Sequence, residues 1–264
     1  MLKRIVTTTL FALSLLTLSA PVRGDDLAER FSKQVFQTES GEKLPYRLIE
    51  PRSPCSGTYP LVVFLHGAGE RGDDNVKPLI HGVKTFATDE YRKKFPCFVI
   101  APQCPTGKRW VVVDWSKDSH TMPEKPSDPM RLTLALIESL KSEFPIDPNR
   151  VYITGLSMGG YGSWDAIQRH PELFAAAAPV CGGGDPAGAE RMVDIPVWAF
   201  HGDKDTAVKP HRSRDMIAAI EKAGGKPKYT EYPGVGHNSW VKAYSTPELY
   251  EWMFAQKKTD KPAK

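Results

Sequence analysis

A serine, an acid and a histidine can together turn a hydroxyl into a nucleophile, and this chain of 264 residues offers such a set as Ser157, Asp205 and His237. Ser157 lies within Gly155-Leu156-Ser157-Met158-Gly159-Gly160, after the apolar run Val151-Tyr152-Ile153-Thr154 and before a segment patterned as a helix. Strand, G-x-S-x-G and helix in that order make a nucleophile elbow. A turn that sharp strains the serine backbone, and small residues at Gly155 and Gly159 let its two arms approach. The alternative is a glycine-rich turn whose serine caps a helix. The strand before it and the partners after it favour the catalytic role.

Four histidines follow Ser157: His170, His201, His211 and His237. His170 ends the elbow's helix, His201 begins the turn carrying the acid, and His211 starts another helix. His237 alone occupies a glycine-flanked loop, Gly234-Val235-Gly236-His237, after the last strand, so it is the expected base. In His201-Gly202-Asp203-Lys204-Asp205, Asp205 lies deeper in the loop and is favoured as the acid, while Asp203 is expected to bond the backbone of the turn. Backbone N–H groups of Met158 and of Ala68, in His66-Gly67-Ala68-Gly69, are the expected oxyanion donors. His66 is expected to be structural. Glu70 and Arg71 are expected to pair and brace the same turn, since residues 70–75 lack the acid spacing of a calcium loop. This chemistry requires no cofactor and no metal, and the cysteines and histidines lack metal-ligand spacing.

The elements that must position these groups alternate strand and helix. Leu61–Leu65, Phe98–Ala101, Val151–Thr154, Ala175–Val180, Val197–Phe200 and Lys228–Tyr232 are short apolar or β-rich runs, separated by helical patterns such as Leu132, Leu136, Ile137, Leu140 and Phe144. Asp128-Pro129 is the expected start of that last helix. Residues 31–50 are expected to form an antiparallel hairpin turning at Ser40-Gly41. The fold class is α/β, a mainly parallel sheet with helices on both faces, and every candidate group follows a strand, where ligands bind in such sheets. The irregular stretch from Pro102 to Asp128 would overhang that edge as a substrate-binding rim. Trp110 and Trp115 within it, and Trp240 beyond His237, are the candidate substrate contacts, although each tryptophan on the rim can equally pack against the body. Cys181-Gly182-Gly183-Gly184 lacks the Lys-Ser/Thr of a phosphate loop and is expected to be a flexible connection beside the site.

Composition bounds the remainder. A hydrophobic content of 41% suits one large core, and we expect one catalytic domain over residues 25–264. Lys3-Arg4 followed by the apolar stretch from Ile5 to Ala20 has the form of a secretory signal peptide, too short to span comfortably as a membrane helix. Cleavage before Asp25 is favoured over cleavage after Ala20, which would leave Pro21 first. Export to the periplasm or the exterior follows as an expectation, with no stable membrane insertion after signal removal. Residues 1–24 hold Lys3, Arg4 and Arg23 and no acid, so their loss takes the formal charge from +4 to +1. That argues against nucleic acid as a partner. Of four cysteines, Cys55 and Cys97 would lie at the amino-terminal edge of neighbouring strands, and Cys104 and Cys181 at the opposite edge. Four cysteines allow three pairings. No sequence signal specifies an oligomeric state.

Leu65-His66-Gly67-Ala68-Gly69-Glu70-Arg71-Gly72, the elbow, His201–Asp205 and Gly236-His237-Asn238-Ser239-Trp240 together resemble the phospholipase/carboxylesterase branch of the α/β-hydrolases. The chain is similar in particular to secreted bacterial esterases related to feruloyl and acetyl-xylan esterases, and to proteins described as predicted peptidases. The likeness covers about residues 30 to 256. It implies the α/β-hydrolase fold, a Ser157, Asp205 and His237 triad, oxyanion donors at Ala68 and Met158, and hydrolysis of a small carboxylic ester or an acylated carbohydrate. A serine peptidase of the prolyl oligopeptidase type is the alternative, although this chain has no propeller-like extra domain. A lipase would want an apolar lid, where residues 102–128 are rich in Lys, Asp and Ser. A non-catalytic carbohydrate-binding protein would stack sugars on the three tryptophans, but an intact triad speaks against it.

Overall fold

The computed structural model describes residues 26–52 and 57–258. The expected export signal and Cys55 lie outside the described residues. The chain opens with β1 (Ser32–Gln37) and β2 (Lys43–Ile49), an antiparallel pair whose turn uses Gly41 at a φ of +85°. Next come β3 (Tyr59–Leu65), a stretch of 3-10 turns, α1 (Asp89–Lys94) and β4 (Phe98–Pro102). Then α2 (Asp128–Glu143), β5 (Ile146–Leu156), α3 (Met158–Arg169), β6 (Ala176–Val180) and β7 (Trp198–Gly202) follow. The chain closes with α4 (His211–Lys222), β8 (Lys228–Tyr232), the single turn α5 (Trp240–Ala243) and α6 (Pro247–Ala255).

All eight strands join one sheet in the order β1-β2-β4-β3-β5-β6-β7-β8. β2 meets β4 antiparallel, and from β4 to β8 every pairing is parallel. The chain therefore has the α/β-hydrolase fold. Strand residues alternate between two cores, as period-2 geometry requires. Leu61, Val63 and Leu65 pack with Leu136, Ile137, Trp164 and Met216 on the face covered by α2, α3 and α4. Val62 and Phe64 pack with Phe86, Tyr250 and Met253 on the face covered by α1 and α6. Because both faces are covered there, the central strands β3, β4 and β6 are apolar without interruption rather than alternating with polar residues.

Three local expectations are corrected. Ser127, not Asp128, caps α2, its side chain accepting from the Met130 N–H at 3.2 Å. The glycines after Cys181 are buried and closely packed rather than a flexible connection: a Cβ on Gly182 would run into the Gly160 backbone of α3, and one on Gly183 would meet Arg212 Nε at 2.8 Å. Glu70 and Arg71 do not pair. Arg71 Nε instead donates to the Ala68 carbonyl at 2.8 Å, and Glu70 faces His81. Cys97, Cys104 and Cys181 are buried free thiols.

Candidate active site

Turns at the carboxyl edge of the sheet build the site, beginning with the elbow between β5 and α3. Ser157 holds φ 53° and ψ −116°, a conformation that costs about 1–3 kcal/mol in a non-glycine residue and persists because its surroundings fix it. Its N–H donates to the Val180 carbonyl at 2.9 Å. The two motif glycines have steric reasons. A Cβ on Gly155 would meet the Gly159 carbonyl oxygen at 2.5 Å and the Leu65 oxygen at 2.7 Å, and one on Gly159 would collide with the same Leu65 oxygen. The start of α3 thus lies directly on the end of β3, which aims Ser157 outward.

His237, in the loop after β8, places Nε2 2.9 Å from Ser157 Oγ and Nδ1 2.7 Å from Asp205 Oδ2. The carboxylate can only accept, so Nδ1 carries the hydrogen and Nε2 is free to accept from the serine hydroxyl. Asp205, after β7, is buried, and its Oδ1 accepts from the N–H groups of Ala207 and Val208, both at 2.9 Å. Burial alone would raise its pKa. Hydrogen bonds from His201, His237 and the Val208 backbone outweigh that and hold the carboxyl well below the usual carboxylate range. Asp203 stands apart from the triad and joins two loops: its Oδ1 accepts from the Gly234 N–H at 2.6 Å, tying the Asp205 turn to the loop that carries His237.

His66 organises the turn after β3. Its Nδ1 donates to the Gly67 carbonyl at 2.6 Å and its Nε2 accepts from the Cys104 N–H at 3.0 Å, an arrangement that needs a neutral ring. Burial pushes its pKa down to about 4. The Trp110 indole N–H donates to the His66 carbonyl at 3.0 Å. Ala68 opens the following 3-10 turn, Ala68–Glu70, and Met158 is the first residue of α3, where a backbone N–H has no partner within the helix.

The tryptophans separate. Trp110 is fully buried in the core with its N–H committed to His66, so its expected role as a substrate contact is corrected to a structural one. Trp115 is half-buried, with the Arg109 guanidinium 4.5 Å above its ring and Tyr161 6.3 Å away. Trp240 stands edge-on to His237 with ring centres 5.4 Å apart, beside the triad. Cys181 Sγ, a carboxylate oxygen of Asp205 and a ring nitrogen of His237 lie within 4.8 Å of one another. Two of these are already bonded to each other, and burial pushes the Cys181 thiol up, so it stays protonated beside them.

Sequence reasoning passed over several contributors. His201 and Arg212 are buried polar groups under the site, and His81 approaches from the segment after the β3 turn. Tyr161 had a usable signal, four residues beyond Ser157 on the same face of α3.

The family model described as "Dienelactone hydrolase family" matches residues 106–251. A bifunctional acetylxylan esterase/xylanase of Neocallimastix patriciarum is 29% identical over 171 residues, covering 64% of this chain and 22% of that protein. A carboxylesterase of Arabidopsis thaliana is 24% identical over 207 residues, covering 69% of this chain and 89% of that one. A thermostable esterase of known structure superposes with a TM-score of 0.83 at 42% identity, covering 88% of this chain and 64% of that one. The chain thus spans about a fifth of the first of these relatives and under two thirds of the esterase structure.

Proposed function

The chain belongs to the dienelactone hydrolase family of α/β-hydrolases, and from that premise we propose that it is a serine esterase acting through an acyl-enzyme. The observation that carries this reading is the unbroken hydrogen-bonded run from Ser157 Oγ through both nitrogens of His237 to Asp205, with spans of 2.9 and 2.7 Å. His237 takes the Ser157 proton as Oγ attacks the ester carbonyl, and Asp205 holds the ring in the required tautomer. N–H groups of Met158 and Ala68 receive the charge that develops on the carbonyl oxygen. His237 then returns the proton to the leaving alcohol, and a water activated by the same ring releases the acid.

For the substrate we propose feruloyl or acetyl esters of plant polysaccharides, met outside the cytoplasm after removal of residues 1–24, with residues 25–264 as one catalytic domain. The acetylxylan esterase relative supports that class of ester. Turnover of methyl ferulate, an acetylated xylo-oligosaccharide, a short nitrophenyl ester and a proline-containing peptide amide tests it, with Ser157→Ala as control. Ester turnover should fall roughly a millionfold in Ser157→Ala. Amide cleavage without ester cleavage would move the chain to the peptidases, and a loss of only a few-fold would take Ser157 out of the mechanism.

A further inference from the structure

Resting on the esterase reading, we propose that Glu70, His81 and Trp240 form the subsite for the alcohol part of the ester, and that it takes a neutral polyhydroxylated alcohol, a sugar ring. The three residues come from separate segments and meet on one flank of the triad. The Trp240 ring is edge-on to His237 at 5.4 Å and tilted against His81 at 5.4 Å. His81 Nε2 lies 3.6 Å from Glu70 Oε1. A Cβ on Gly67 would meet Glu70 Oε2 and Leu156 Cδ1, each at 2.9 Å, so the carboxylate lies against the turn that opens into Ala68 and beside the residue preceding Ser157.

Glu70 is the informative member. It is 8% exposed, yet among the described residues its carboxylate has one partner, His81, at a distance beyond a good hydrogen bond. Its oxygens keep a narrow opening to solvent, through which the hydroxyls of a bound molecule can supply the donors that the protein does not. The position also works against oxyanion stabilisation, since a negative charge beside the Ala68 turn opposes the charge that forms there. Accepting hydrogen bonds from a bound molecule resolves the first fact and disperses part of the charge in the second.

Position and chemistry identify that molecule. In this mechanism His237 protonates the leaving oxygen, so the alcohol part lies on the His237 side, where Trp240 stands. A carboxylate offers acceptors and the imidazole beside it offers a donor, matching hydroxyls that both donate and accept. The indole offers an apolar face for the C–H side of a sugar. A quaternary ammonium such as choline has no N–H and no acceptor, so it would leave both the carboxylate acceptors and the imidazole donor without hydrogen bonds.

The test uses the full chain and three acetate esters: an acetylated xylo-oligosaccharide, ethyl acetate and choline acetate. We expect the sugar ester to be favoured over ethyl acetate in kcat/KM by about tenfold or more, the scale of one or two hydrogen bonds to a charged group. That ratio should collapse in Glu70→Ala, fall part of the way in Glu70→Gln, which keeps the side-chain shape, and fall in Trp240→Ala. Xylotriose binding measured by calorimetry in the Ser157→Ala chain should weaken by about tenfold when Glu70→Ala is added. An unchanged ratio and unchanged xylotriose affinity in both Glu70 variants would overturn the subsite, as would a preference for the choline ester. Absence of all ester turnover would defeat the esterase reading instead, leaving the calorimetry to decide the subsite.

Discussion

Asp205 Oδ2 serves two imidazoles at once, His237 Nδ1 at 2.7 Å and His201 Nε2 at 3.2 Å. His201 Nε2 also lies 2.9 Å from the Val208 carbonyl, which can only accept, so that nitrogen carries a hydrogen directed between the carbonyl and the carboxylate. On the other side of the ring, Nδ1 meets Ser213 Oγ at 2.8 Å. His201 is therefore a positioning residue that fixes Asp205 from beneath. His201→Ala should lower kcat about tenfold to a hundredfold with KM little changed, since an unsupported carboxylate loses its alignment with His237 while substrate contacts stay. Steady-state kinetics on the preferred ester checks this, and a raised KM at unchanged kcat would exclude the role.

Stability should fall as the medium turns acid, with His66 and His120, both held down to about 4, sharing the slope. An unfolded histidine takes a proton near pH 6.5, whereas burial keeps folded His66 neutral to about pH 4. Between these values the unfolded chain binds more protons, so stability is full above about 6.5 and is lost as pH drops toward 4, by up to about 3 kcal/mol from His66. Asp205 adds to the loss at lower pH still, since its folded carboxyl is held below its unfolded value. Urea midpoints between pH 7 and pH 4 would show the slope. His66→Gln should be less stable at neutral pH and should flatten it in part.

One motif glycine at the elbow and the glycine beside Ala68 make a controlled pair. Gly159→Ala would drive a methyl group into the Leu65 carbonyl, so we expect a loss of about 3 kcal/mol or more, or no folded protein. A Cβ on Gly69 meets nothing within 4 Å, so Gly69→Ala should shift stability by less than about 1 kcal/mol. Thermal unfolding of the two variants side by side is sufficient, and equal losses would refute the packing account of the motif.

Much of this site was legible because its residues sit in short, stereotyped turns after strands. Ser157 is marked by glycines that sterics demand, and His237 and Asp205 by position after β8 and β7. What escaped depends on contacts between distant segments. Nothing local to Trp110 distinguishes a rim residue from a core one, and it is the long-range bond to the His66 carbonyl that decides. Glu70 and Arg71, adjacent in sequence, point to different partners because the 3-10 turn sends one to His81 and the other back to Ala68. The triple glycine resembled a loose linker, and only the close approach of α3 and α4 explains its residue type.

Arg212 extends that lesson to the rim and gives the last prediction. It is buried at the start of α4, donates Nη1 to the Lys117 carbonyl at 2.9 Å, lies 5.4 Å from the Tyr161 ring and donates Nη2 to His120 Nδ1. Burial and then the Arg212 charge hold His120 down to about 4, which keeps that nitrogen an acceptor. Asp185 Oδ2 takes the Met122 N–H at 2.8 Å, so the rim is pinned at both ends of residues 117–122. Arg212→Ala leaves the Lys117 carbonyl and His120 without their donor, a loss of about 2–4 kcal/mol in stability. Trypsin should then cut at Lys117 at least several-fold faster, and KM should rise more than kcat falls if the rim holds substrate. Asp185→Asn keeps an acceptor for Met122 and should change both readouts far less. Equal effects of the two substitutions would mean that the charge of this cluster, and not its hydrogen bonds, holds the rim in place.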